Sequence, residues 1–170
     1  NILLPSDRSG YMNLYVYNMN GKLQRTIGGK YDITEVYGFD AKTGDVYYQA
    51  AALGATDRQV YVSHKNGKIE RLTDAEGWNS ALFSGDYQYF INTWSDYNTP
   101  YVYTTRTRAG KVISTLQDNR ELRQTIKDYG FCKREAFSFT TSEGVTLNGW
   151  MLRPLNFDAS KRYPVIMHQY

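Results

Sequence analysis

Three stretches of this chain align with one another, and their spacing limits the fold more than any other feature. They are Leu14-Tyr-Val-Tyr-Asn-Met-Asn-Gly21-Lys22, Val60-Tyr-Val-Ser-His-Lys-Asn-Gly67-Lys68 and Val102-Tyr-Thr-Thr-Arg-Thr-Arg-Ala-Gly110-Lys111. Gly67 follows Gly21 by 46 positions, and Gly110 follows Gly67 by 43. Asn-Gly between apolar runs is a strong two-residue hairpin signal, because both turn residues of that hairpin need positive φ. A short second strand follows each copy: Leu23–Ile27, Ile69–Thr73 and Val112–Leu116. The other half of the unit repeats as well. Glu35–Asp40 turns through Gly44 into Val46–Ala50, and Ser80–Phe83 turns through Gly85 into Tyr87–Thr93. Each unit therefore holds four strands joined by tight turns, which is the pattern of a propeller blade. The competing reading is an ordinary antiparallel sandwich. The in-phase turn glycines and the recurring Val-Tyr pairs favour the propeller.

On this count residues 32–74 and 75–118 are two complete blades, and residues 1–28 are the last strands of a third. Two and a half blades cannot close a ring, so some sheet faces are expected to lack neighbours. Composition agrees with a mostly β chain. Sixteen of the 170 residues are tyrosine, which suits half-buried pleated surfaces, and few segments carry helical periodicity.

Net charge is +3, with basic residues spread along the chain rather than gathered on one face, so no nucleic-acid partner is expected. The densest basic group, Arg106, Arg108 and Lys111, reads as a solvated face, with a phosphate-binding patch as the alternative. The single cysteine, Cys132, excludes an internal disulfide, has no ligand-spaced partner and reads as a structural thiol. No leader follows Asn1, and no apolar run approaches the roughly 20 residues of a membrane span. Both ends read as cut within strand-like runs, Asn1-Ile-Leu-Leu and Val165–Tyr170.

The repeat breaks at Asp118. Asn119–Gly130 predicts one short helix, with Asn119 as cap, Glu121 in the positive first turn, an apolar Leu122/Ile126 stripe and Gly130 as terminator. So short a helix is expected to dock on something. Glu135–Gly144 and Val145–Pro154 predict a hairpin with Phe137 and Phe139 on one face. A polar loop, residues 156–164, leads to Val165-Ile-Met-His-Gln-Tyr170, which predicts a strand buried on both faces.

Taken together, the four-strand repeat, the linking helix, the hairpin S-E-G-x-x-L-x-G-W-x-x-x-P over Ser142–Pro154 and the ending K-x-Y-P-V-I-M-x-x-Y over Lys161–Tyr170 resemble the prolyl oligopeptidase family of serine peptidases. Met167–Tyr170 looks most like its dipeptidyl peptidase IV branch, especially bacterial members. The resemblance implies a partial β-propeller over 1–118, a helical linker over 119–134 and the start of an α/β-hydrolase domain over 135–170. It also implies a full-length serine exopeptidase that releases X-Pro or X-Ala dipeptides from the amino terminus of peptides, without a cofactor. A related propeller peptidase (tripeptidyl, acylaminoacyl or prolyl endopeptidase) and a non-enzymatic propeller binding module are the alternatives; the hydrolase-like ending speaks against the second. Family members often dimerise, so a homodimer is expected of the full-length protein. The same resemblance implies an extracytoplasmic location, periplasmic or on the cell envelope.

No G-x-S-x-G nucleophile elbow occurs, and in α/β-hydrolases Ser, Asp and His follow in that order farther downstream, so this chain alone is expected to be inert. One position matches the branch. There a tyrosine at the end of the third hydrolase strand helps bind the oxyanion, and Tyr170 is its counterpart. A phenol stays protonated at neutral pH and donates one hydrogen bond, which is what an oxyanion needs. His168 and His64 read as structural, and their separation argues against a metal site. Asp40, Asp45 and Asp86 read as turn residues. The family's pair of glutamates that hold the substrate amino terminus has no match, since Glu35, Glu70 and Glu76 are isolated.

Overall fold

The computed structural model describes residues 1–168, which divide into two units, residues 1–123 and 124 onward. The first unit is three antiparallel meanders. The opening sheet holds β1 (Ile2–Ser6), β2 (Asn13–Tyr17) and β3 (Leu23–Ile27) in that order. The middle sheet holds β4 (Ile33–Asp40), β5 (Asp45–Ala50), β6 (Gln59–Ser63) and β7 (Ile69–Arg71). The third holds β8 (Trp78–Phe83), β9 (Tyr89–Ser95), β10 (Val102–Thr107) and β11 (Val112–Gln117). The two four-stranded sheets lie within residues 33–71 and 78–117, each a meander as the repeat predicts.

Burial explains why the sheets stack. A strand sends alternate side chains to opposite faces, and the middle sheet is covered on both, so every residue of β5 and β6 is buried. One core sets Leu14, Val16 and Ile27 of the opening sheet against Val46, Tyr48 and Tyr61. The other sets Tyr47, Val60 and Val62 against Phe90, with Tyr37, Phe83 and Tyr87 packed around them. Within the first unit, the described residues pack on one face of the third sheet. Accordingly Phe90 and Asn92 are buried, while Trp78, Leu82 and Tyr89 are exposed.

The repeated turns are three-residue loops, not the two-residue type that Asn-Gly predicts. Gly21, Gly67 and Gly110 have φ of +75, +88 and +84, but Asn20 and Asn66 do not share the positive φ of a two-residue loop. Each glycine N–H donates back three residues, to the carbonyls of Asn18, His64 and Thr107, and those residues donate across to Lys22, Lys68 and Lys111. This is a type I turn closed by a left-handed glycine bulge. Side chains explain the preference: the Asn18 Oδ1 accepts from the N–H groups of Asn20 and Lys22, and the Thr107 Oγ1 accepts from Lys111.

Gly110 carries a second requirement. A Cβ there would overlap the Leu72 carbonyl oxygen of the middle sheet, whereas nothing lies within 4 Å of a Cβ at Gly67. Gly67→Ala is therefore expected to cost about 1 kcal/mol, from the strained φ alone. Gly110→Ala adds a backbone clash between blades and is expected to cost at least about 2 kcal/mol. Denaturation of the two full-length variants checks this, and equal losses would remove the packing role of Gly110.

The aromatic seam between the second and third blades rests on two irregularities. Register shifts in β4 turn Tyr37 toward β8, where its hydroxyl accepts from the Ala81 N–H at 3.1 Å. Tyr87 takes a left-handed φ of +56 and stacks on Tyr47, with centroids 4.9 Å apart and rings 5° from parallel. Its hydroxyl fills the space a side chain on Gly38 would occupy.

Helix α1 (Arg120–Asp128) forms where predicted, with a different start. Asn119 has a φ of +51 and sends its amide to the Tyr101 carbonyl at 2.6 Å, so Asp118 receives the Arg120 N–H instead. Its end is as expected: Gly130, at φ +65, donates to Lys127 and Phe131 donates to Ile126, the paired bonds of a Schellman motif. No helix residue is buried, Leu122 being 47% exposed, so the expected docking is not seen among the described residues.

In the second unit β12 (Arg134–Thr140) pairs with β13 (Thr146–Leu152) as the predicted hairpin. Phe137 lies opposite Gly149, where a Cβ would come within 2.6 Å of its ring, and stacks with Phe139 at 6.2 Å. Residues 165–168 depart from expectation: they form no strand, and Ile166 is 98% exposed. A doubly buried strand needs neighbours on both sides and cover on both faces, and no described residue supplies them.

Candidate functional site

Tyr170, the residue the resemblance singles out, lies outside the described residues. His168 is exposed, and Cys132 is a half-buried free thiol. Among the described residues no group of three or more His, Cys, Asp or Glu could hold a metal ion, and no helix is long and apolar enough to cross a membrane.

The polar residues that do assemble lie in the first unit. Asp45 opens β5, and its buried carboxylate draws three elements together. Oδ2 lies 3.0 Å from Arg108 Nη2 and 3.2 Å from His64 Nδ1, while Oδ1 accepts the Lys65 N–H at 3.3 Å. Arg108 also donates to the Tyr47 hydroxyl at 3.0 Å. Burial pushes the Tyr47 hydroxyl pKa up, though Arg108 opposes it. From the opening sheet, Arg25 donates to the carbonyls of His64 and Gly44. Burial lowers the Arg25 pKa, and the Asp45 charge opposes that. Asp45 is thus more than a turn residue: it joins the middle blade to the third. Asp40 and Asp86 keep their turn roles. Asp40 accepts from the Lys42 N–H, which holds its carboxyl below the ordinary range, and Asp86 accepts from the Ser84 hydroxyl and the Gln88 N–H.

The basic group of the sequence does not form one patch. Arg108 pairs with Asp45, whereas the buried Arg106 pairs with Asp74 at 3.1 Å and donates to the Gly110 carbonyl at 3.0 Å. These are separate ties between the second and third blades, which answers the solvated-face reading for both arginines.

Sequence reasoning missed a set of buried amides at the blade junctions. Asn13 and Gln59 occupy the same place, the first residue of β2 and of β6. Asn13 accepts the Gly29 N–H at 3.0 Å and donates to the Gly29 carbonyl and the Ser9 hydroxyl. Gln59 donates to the Ala75 carbonyl at 2.9 Å and accepts from Thr73 Oγ1 at 2.7 Å and Asn79 Nδ2 at 3.3 Å. In each case the side chain clamps the segment that carries the chain into the next blade. The signal was available: both amides stand directly before the aligned Leu-Tyr-Val and Val-Tyr-Val triplets.

Comparison with known proteins places this architecture. The family model described as "Dipeptidyl peptidase IV (DPP IV) N-terminal region" matches residues 1–101. The chain belongs to the dipeptidyl peptidase IV family. Among curated members, the probable dipeptidyl peptidase 4 of Aspergillus flavus is 30% identical over 170 residues, covering 97% of this chain and 22% of that protein. The dipeptidyl peptidase 4 of Arthroderma otae is also 30% identical, with the same coverage. The crystal structure of Porphyromonas gingivalis dipeptidyl peptidase 4 superposes with a TM-score of 0.89 at 36% identity, over 95% of this chain and 23% of that one. A putative dipeptidyl aminopeptidase IV from Bacteroides ovatus shares the fold, with a TM-score of 0.80 at 21% identity over 95% of this chain and 26% of that one. The chain thus spans about a fifth of the length of the curated dipeptidyl peptidase IV relatives it matches. Their likeness continues past the family-model match and takes in the β12–β13 hairpin.

Proposed function

We propose that the full-length protein is a serine exopeptidase that removes dipeptides from the amino terminus of peptides with proline or alanine in second position. The observation that carries this reading is the likeness to proteins named dipeptidyl peptidase 4 over 97% of the chain, joined to the Ser142–Pro154 and Lys161–Tyr170 motifs. In it, residues 1–118 are propeller blades and residues 135–170 begin the hydrolase domain. Tyr170 donates its hydroxyl to the oxyanion of the tetrahedral intermediate, a role suited to a neutral phenol in a dry site. The triad lies downstream, as the order of parts in α/β-hydrolases requires. A homodimer outside the cytoplasm completes the proposal. Gel filtration and cell fractionation test those two points.

The full-length protein is expected to hydrolyse Gly-Pro and Ala-Pro chromogenic substrates. The 170-residue chain, lacking a nucleophile elbow, is expected to hydrolyse neither and to take up no serine-directed label at a specific site. A full-length protein inert on both substrates, or a labelled 170-residue chain, refutes the assignment.

A further inference from the structure

We propose that Asn20 is a site of spontaneous deamidation, set apart from the other Asn-Gly pairs of the chain by its unengaged side-chain amide. The sequence holds three such pairs, Asn20-Gly21, Asn66-Gly67 and Asn148-Gly149. In each, glycine lacks the Cβ that in other residues shields the backbone nitrogen. The Gly21 nitrogen gives its proton to water and attacks Asn20 Cγ. An N–Cγ bond forms, the Cγ–Nδ2 bond breaks and ammonia leaves, closing a cyclic imide. Water then adds to either imide carbonyl and opens the ring to aspartate or isoaspartate, so nothing is oxidised or reduced. Isoaspartate routes the main chain through the former side chain and leaves a carboxylate in the loop between β2 and β3.

Local sequence favours all three pairs alike, and the fold separates them. Asn20 and Gly21 are exposed at a loop tip, and the Asn20 side-chain amide has no partner among the described residues. Asn66 is exposed as well, but its Oδ1 accepts the Lys68 N–H at 2.9 Å. That bond must break before Asn66 Cγ can turn toward the Gly67 nitrogen. Asn148 Oδ1 accepts from the Ser138 hydroxyl at 2.8 Å, within a strand held in register by β12 and with the Phe137 ring against Gly149. The backbone bonds of the two loops do not discriminate: the Gly21 N–H donates to the Asn18 carbonyl at 3.0 Å and the Gly67 N–H to the His64 carbonyl at 2.9 Å. A side-chain hydrogen bond of ordinary net strength, broken on the way to attack, slows the step about two- to tenfold. Asn20 is therefore modified first.

Ageing the full-length protein at neutral pH, once folded and once in guanidinium chloride, tests the assignment. Peptide mass spectrometry follows deamidation at the three asparagines in the same sample, and isoaspartyl methyltransferase labelling identifies the isoaspartate product. In the folded protein Asn20 is expected to deamidate about two- to tenfold faster than Asn66 and Asn148. In denaturant, where the bonds to Lys68 and Ser138 are gone, the three rates are expected to converge. Equal rates in the folded protein, or Asn66 or Asn148 reacting first, overturn the proposal. A lead for Asn20 that persists undiminished in denaturant overturns it too, because the preference then comes from neighbouring residues and not from the fold.

Discussion

Tyr170→Phe in the full-length enzyme is expected to lower kcat by roughly 10²–10³-fold, the scale seen when one oxyanion-hole donor is removed. The substitution deletes a hydroxyl and keeps the ring, so a loss of catalysis is read apart from a loss of folding. An interaction made only as negative charge develops acts on the transition state, so kcat falls while substrate affinity stays within a few-fold. A tyrosine that merely fills space predicts the opposite pattern, with near-normal kcat and any loss appearing as instability. Steady-state kinetics on an Ala-Pro chromogenic substrate, with circular dichroism to establish folding, separates the two. A well-folded Tyr170→Phe enzyme with wild-type kcat removes the oxyanion role while leaving the peptidase assignment intact.

Turn chemistry made most of the blade pattern legible. Gly21, Gly67 and Gly110 mark hairpins whatever surrounds them, because the left-handed conformation is a local demand. The loop type was not legible, because it depends on hydrogen bonds such as those from Asn20 and Lys22 to Asn18 that compete with the two-residue turn. Tyr87 shows tertiary packing overriding local preference: stacking on Tyr47 holds a tyrosine where glycine is usual. The ion cluster was illegible for a different reason. Asp45 and His64 meet because β5 pairs with β6, Val46 lying opposite Ser63, and Arg108 reaches them from the next blade, so neither contact follows from neighbours in sequence. Residues 165–168 mark the other limit. Their apolar run signals burial, but burial needs partners that no described residue provides. Of the catalytic apparatus that the proposed function requires, the sequence carries a single candidate, Tyr170, and that residue is read through resemblance rather than geometry.

Gln59→Leu is expected to destabilise the join between the second and third blades by about 2–4 kcal/mol. Gln59 is fully buried, and its amide satisfies three groups at once: the Ala75 carbonyl, the Thr73 hydroxyl and the Asn79 side-chain amide. Leucine fills a similar volume and gains apolar burial, but it leaves those groups to find other partners in a site closed to water. Each buried polar group left unpaired costs about 1–3 kcal/mol. Partial compensation is built in, since Asn79 Nδ2 also donates to the Ala75 and Arg58 carbonyls, and the Thr73 hydroxyl accepts the Val60 N–H. The net loss therefore falls short of three full penalties. Hydrogen exchange over β6 and the connector 73–79 of the full-length protein reads the loss locally, and the denaturation midpoint reads it globally. Gln24→Leu is the control, because the Gln24 side chain is exposed and donates to the Lys22 carbonyl two residues away; its effect should stay within about 0.5 kcal/mol. If Gln59→Leu matched that control, the clamp would be dispensable, and apolar packing of Val60, Val62 and Leu72 against Phe90, with the Arg106–Asp74 and Arg108–Asp45 pairs, would suffice to join the two blades.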